Sequence, residues 1–165
     1  MASPHNRKRR TGGGTKYVCL PSINVTYHNV DYRSTTSSKT SYIDGVKYSS
    51  RDLFKTRSSL SLYGRAVCTA CQHIGKSTTL MVPGNTTCPK TWTMEYTGFL
   101  MADSRKKTDF ICVDESAEGD GGSLTGVRDI AILDFVTAKW PRCFGNTCGI
   151  YNDNDNALRC VVCSL

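Results

Sequence analysis

The chain has 165 residues, 39% of them hydrophobic, a formal charge of +7 and a mean hydropathy of −0.34. That length holds one ordinary domain or two small ones, and no apolar run reaches the roughly 20 residues needed to span a bilayer as a helix. Arg7, Lys8, Arg9 and Arg10 carry +4 of the charge, leaving +3 for everything else, so no basic stripe points to nucleic acid as a partner.

In chain order, residues 1–14 ("MASPHNRKRRTGGG") read as a flexible basic and glycine-rich arm without the apolar stretch of a signal peptide. The polar, Ser/Thr-rich segment Tyr32–Asp52 reads as a long loop with room for a short hairpin. Beyond it, "STTLMVPG", "TWTMEYTGFLM", "TDFICV", "DIAILDFVTAKW" and "ALRCVVC" are short runs of Thr, Val, Ile and aromatic residues, which read as strands. Turn signals separate them at Pro83-Gly84, Glu118–Gly122 and Asn152–Asn156. Period-two alternation puts Trp92, Met94, Tyr96 and Gly98 on one face of the second run, with Thr and Glu opposite. No segment keeps a 3.6-residue period with caps, so the expected class is all-β.

The chain also repeats itself. "TKYVCLP" at Thr15 and "TDFICVD" at Thr108 share a pattern, with Cys19 and Cys112 93 positions apart. The two CxxC pairs keep nearly that offset: Cys68 to Cys160 and Cys71 to Cys163 are both 92. Three cysteines at one spacing imply two related units of about 90 residues. The expected organisation is the arm 1–14, an incomplete first subdomain 15–75 and a complete second subdomain 76–165.

Nine cysteines in 165 residues is the density of a disulfide-stapled, exported fold. The sequons Asn24-Val25-Thr26 and Asn85-Thr86-Thr87, two candidate N-glycosylation sites, fit that compartment. The lack of a signal-peptide stretch, taken literally, reads as cytosolic; an upstream segment carrying an export signal would reconcile the two. In a strand, Cys160 and Cys163 point to opposite faces and so toward different partners. Cys143 and Cys148 enclose a small loop turned by Gly145-Asn146, which suits a clasp. A Cys₄ zinc site built from the two CxxC pairs is the competing reading, although 88 residues separate Cys71 from Cys160, far more than zinc spacings use. A redox pair is weaker, because Cys160-x-x-Cys163 precedes no helix.

No catalytic set stands out, and the chain reads as a non-enzyme without a cofactor or metal. His5, His28 and His73 read as solvated, the acidic cluster Asp114, Glu115, Glu118 and Asp120 as a solvated turn without calcium-loop spacing, and Trp92 and Trp140 as core. The lack of a further aromatic platform leaves a secreted carbohydrate-binding module as a minor alternative.

The stretch Ser77–Leu165 resembles the C-terminal noncollagenous domain of sponge-type short-chain collagens and, more distantly, the duplicated C-terminal domain of type IV collagen. The likeness rests on "TTLMVPGNTTCPKTWTMEYTGFLM", "FICVD", "PRCFGNTC" and "LRCVVC", with six cysteines in order. "GGGTKYVCLP" and "AVCTACQ" carry it less completely into the first unit. The resemblance implies a β-rich tandem domain, secreted to the extracellular matrix, that terminates a triple helix and associates with like domains and other matrix proteins. The chain itself has no Gly-X-Y tract. The resemblance further implies a nested pairing, Cys88–Cys163, Cys112–Cys160 and Cys143–Cys148. The 92-residue offset carries the second of these onto Cys19–Cys68 and leaves Cys71, the counterpart of Cys163, as a free thiol.

Overall fold

The computed structural model describes residues 2–5, 15–20, 26, 42–49, 64–105, 108–120, 130–137 and 157–165. Among them the regular elements are all strands: β1 (Ala2–His5), β2 (Tyr42–Tyr48), β3 (Thr79–Pro83), β4 (Thr93–Ala102), β5 (Ile111–Asp114), β6 (Ala131–Phe135) and β7 (Arg159–Ser164). β3 to β7 fall on the five runs read as strands. They form one mixed sheet in the order β1-β2-β6-β4-β7-β3, with β5 added against β4. Of the strand pairings among the described residues only β2–β6 is parallel; it sets Val46 opposite Ala131 and Tyr48 opposite Leu133. No helix among the described residues is long and apolar enough to cross a membrane.

Two segments depart from expectation. β2 lies inside the stretch read as a loop. Its flanks are Ser/Thr-rich, but Val46 and Tyr48 alternate inward and are nearly fully buried, which makes it an interior strand of the sheet. Ala2–His5, placed in the flexible arm, pairs antiparallel with β2. That strand has no apolar alternation of its own and takes its extended form from ladder bonds at a sheet edge, where Pro4 is tolerated.

β4 is the hub. A register shift between Met94 and Tyr96 leaves Glu95 as an extra residue, so Met94 and Tyr96 oppose the consecutive residues Cys163 and Val162. Consecutive residues face opposite ways. The single face Trp92–Met94–Tyr96–Gly98 is therefore broken at the bulge, and Met94 is left 55% exposed. Beyond it β4 is covered on both faces. Met101 and Phe99 pack with Val46, Tyr48, Ala66, Val113, Ala131 and Leu133. Leu100 packs on the other side with Cys112 and Cys160, edged by Met81, Tyr96, Val136, Leu158 and Val162. Burying each large apolar side chain stabilises the fold by about 1.5–3 kcal/mol. Val46, Tyr48 and Ala66 come from before residue 75, so the two expected subdomains contribute to one core.

Candidate functional site

The chemistry-bearing residues gather into a cysteine framework and a polar cluster beside it. Cys160 and Cys163, on opposite faces of β7, are bonded to different partners, Cys112 and Cys88, with Cα atoms 5.8 and 6.0 Å apart. The third bridge, Cys19–Cys68, also has a 5.8 Å Cα separation and spans 49 residues against 48 for Cys112–Cys160. Two bridges whose cysteines stand 92 or 93 positions apart thus share nearly the same span. Cys71 carries a free, exposed thiol. Cys143, Cys148 and Asn24 lie outside the described residues, and Asn85 is exposed on the turn after β3.

The Cys112–Cys160 bridge needs a local explanation. β5 and β7 flank β4 on opposite edges, with Gly98 paired to Asp114 on one side and Cys160 on the other. In a flat sheet such strands stand about 9.5 Å apart. Gly98 lets them curl together, because a Cβ there would lie 2.6 Å from the carbonyl carbon of Val113.

The polar cluster ties the Cys71–Ser77 segment to the last strand. Lys76 Nζ donates to Ser164 Oγ at 2.8 Å and to Glu95 Oε1 at 3.4 Å. Ser164 Oγ in turn donates to Glu95 Oε1, and His73 Nε2 lies 3.0 Å from Glu95 Oε2. The hydroxyl of Ser164 is the main cause holding the Glu95 carboxyl below the usual carboxylate range, with Lys76 and His73 adding to it against a partial desolvation. Gly75, at φ 78°, turns the segment so that His73 and Lys76 both reach Glu95. The Ser164 and Lys76 atoms are close enough for a nucleophile and its base. Ser164 is only 1% exposed, however, and its hydroxyl is committed to Glu95, so the cluster acts as an electrostatic clasp. His73, expected to be solvated, is exposed, with the Glu95 carboxylate beside its imidazole.

No protein-family model matches the chain, and no solved structure matches it significantly.

A second seam joins residues from before and after position 75. Arg65 pairs with Asp120 as an ion pair and through its N–H to Oδ1 at 3.2 Å, while Ala66 bridges Gly119. Glu115 binds Arg159 at 2.7 Å and accepts from Thr97 at 3.0 Å, and the Arg159 guanidinium lies 4.7 Å from the Phe99 ring centroid. The acidic turn is exposed at Glu115, Glu118 and Asp120 as expected, and two of its carboxylates also take cations from distant parts of the same chain. Among the described residues no three His, Cys, Asp or Glu side chains could hold a metal together.

Asp103, buried at the end of β4, accepts from the N–H of Arg105 at 2.8 Å and of Ile132 at 3.1 Å. Its own N–H donates to Tyr17 Oη and Thr108 Oγ1. Burial, outweighing these hydrogen bonds, pushes the Tyr17 phenol up. The stretches around Tyr17 and Thr108 therefore meet at the backbone N–H of Asp103. Glu95, Ser164 and Asp103 escape sequence reading, since one polar residue in an apolar strand gives no motif.

The surface keeps apolar groups exposed near the first bridge. Val18 and Leu20 flank Cys19, and Val67 precedes Cys68, at 41, 50 and 54% exposure. The bridges themselves suit an oxidising, extracellular-type environment.

Proposed function

We propose that the chain is a non-enzymatic, secreted structural module of the extracellular matrix, akin to a collagen C-terminal domain. It is built from two related, disulfide-stapled units and associates with like domains. The observation that carries this reading is the cysteine framework. Cys160 and Cys163 bond outward to separate partners, Cys68 bonds to Cys19, and the bridges staple a sheet whose core draws on residues from both sides of position 75. The same bonds weigh against the zinc alternative, because three of the four CxxC sulfurs are taken up and a metal ligand must be a thiolate.

Association with like domains is supported by the apolar side chains left at Val18, Leu20, Val67 and Phe110, the last 58% exposed. Exposed apolar groups gathered at one place on a surface mark contact sites, and Val18, Leu20 and Val67 gather around the Cys19–Cys68 bridge. Sedimentation of the oxidised chain over a range of concentrations tests this reading. Reversible association weakened by Val67→Asp and Phe110→Asp is the expected result. A strict monomer would overturn it, as would about one zinc per chain with freely alkylated CxxC thiols.

A further inference from the structure

Asn85 sits on a short loop anchored at both ends. Gly84 N–H donates to the Arg159 carbonyl at 2.7 Å on one side, and the Cys88–Cys163 bridge holds the other. Gly84 to Thr87 are all exposed between these anchors. Three donors converge on the Asn85 side-chain oxygen: the N–H of Thr86 at 2.8 Å, the N–H of Thr87 at 3.2 Å and the hydroxyl of Thr87 at 3.1 Å. Three donors on one atom identify it as the carbonyl oxygen. The amide nitrogen Nδ2 is then the free end and has no hydrogen-bond partner among the described residues. The Thr87 hydroxyl is the one that the Asn-x-Thr acceptor pattern requires.

The neighbouring strand gives such a loop something to do. Among the described residues β3 pairs only with β7, so its other side is an open sheet edge. Thr78 and Leu165 exchange both backbone hydrogen bonds. By the antiparallel alternation, Thr79 and Met81 then turn their N–H groups to the open side, and Pro83 has none to offer. Short length and Pro83 blunt this edge in part, but no charged side chain occurs from Ser77 to Thr87 to guard the rest.

We propose that Asn85 is an N-linked glycosylation site whose glycan shields the open edge of β3. This rests on the secreted reading above, since the donor is a lipid-pyrophosphate-linked oligosaccharide met during export. In the transfer, Nδ2 bonds to C1 of the reducing-end sugar and the C1–O bond to pyrophosphate breaks. The lipid pyrophosphate leaves, and one amide proton passes to a carboxylate base of the transferase. A bulky polar group beginning two residues past Pro83 then stands beside the edge that a second strand would otherwise join.

The test expresses the full chain behind a cleavable leader in a eukaryotic secretory host, so that export is imposed rather than assumed. Peptide mapping in heavy-oxygen water after enzymatic deglycosylation should mark position 85 in most molecules. Asn85→Gln and Thr87→Ala should each abolish that mark, and Thr87→Ser should keep it. An unmarked Asn85 in secreted protein overturns the site. Removing the glycan, or Asn85→Gln, should add a larger species on size exclusion, which Leu80→Lys suppresses. Unchanged elution of both glycan-free forms overturns the shielding. Neither readout depends on zinc content or on the Val67 and Phe110 surface, so the site and the assembly reading fail separately.

Discussion

The carbonyl of Val113 occupies the space that a side chain on Gly98 would need; an ideal Cβ there would stand 2.6 Å from its carbon and 3.0 Å from the Cα of Asp114. Both neighbours are backbone, so neither can rotate away. Gly98→Ala should push β5 off β4 and cost about 3 kcal/mol, the upper part of the range for overpacking. It should also lower the yield of the Cys112–Cys160 bridge, which needs the two flanking strands drawn together. Chemical denaturation paired with disulfide mapping checks this; a variant that loses neither stability nor bridge would show that β5 has room to move.

The three bridges should open in a set order under mild reductant. In the chain-entropy model the loops of 75, 49 and 48 residues are each worth about 4 to 4.5 kcal/mol, so loop length barely separates them. Burial does. Cys160 and Cys163 are fully buried, whereas Cys19 and Cys68 are only half-buried. Reduction requires a thiolate to reach the sulfur. Time-resolved trapping should therefore find Cys19–Cys68 open first. Early loss of Cys88–Cys163 would mean that β3 or β7 frays before the first bridge is attacked.

Alkylation of the oxidised chain without reductant should place one label, at Cys71. The exposed thiol accounts for that label, and a single label also requires Cys143 and Cys148 to be paired. Mass spectrometry of the labelled peptides decides it. Three labels would separate the clasp from the rest of the nested pattern, and a label on Cys68, Cys160 or Cys163 would favour the metal alternative.

Much of the fold was legible because the five apolar runs in the second half bury enough surface to select strands with little help from context. β2 was not, because only Val46 and Tyr48 alternate inward while Ile43 in the same strand stays exposed, and the rest of its ordering comes from pairing with β1 and β6. The alternation along β4 misled at Met94, since one inserted residue reverses every face before it and nothing in "TMEY" announces the bulge. The cysteine spacing carried more of the candidate site than any polar residue did. The clasp at Glu95 is assembled from positions 73, 76, 95 and 164, and such a set has no spacing to read until the sheet exists.

Thr91→Gly should stabilise the protein by about 1 kcal/mol. Thr91 has φ 76°, a left-handed conformation that a β-branched residue pays to adopt. It belongs to a turn in which the Trp92 N–H donates to the Pro89 carbonyl at 3.2 Å. Glycine removes the steric cost and returns only part of the gain through the entropy of the unfolded chain. A rise in urea midpoint without a change in slope is the expected outcome. A fall would mean that the Thr91 side chain makes contacts worth more than its strain.

The clasp at Glu95 should make the protein acid-labile through one identifiable group. The Ser164 hydroxyl first, then Lys76 and His73, depresses the folded-state value of this carboxyl. As pH falls, the unfolded chain therefore takes up its proton before the folded chain does. The stabilisation is fully present above the ordinary glutamate value of about 4.3. It is lost as pH falls through the depressed folded value. Glu95→Gln removes the titrating group and leaves an amide that cannot pair with Lys76, so the variant should be less stable at neutral pH and should approach the parent as the solution is acidified through the carboxylate range. Urea midpoints measured across that range, parent against variant, show whether the two curves converge. A gap that stays constant with pH would assign the loss to packing or hydrogen bonding around Ser164 rather than to the charge on Glu95.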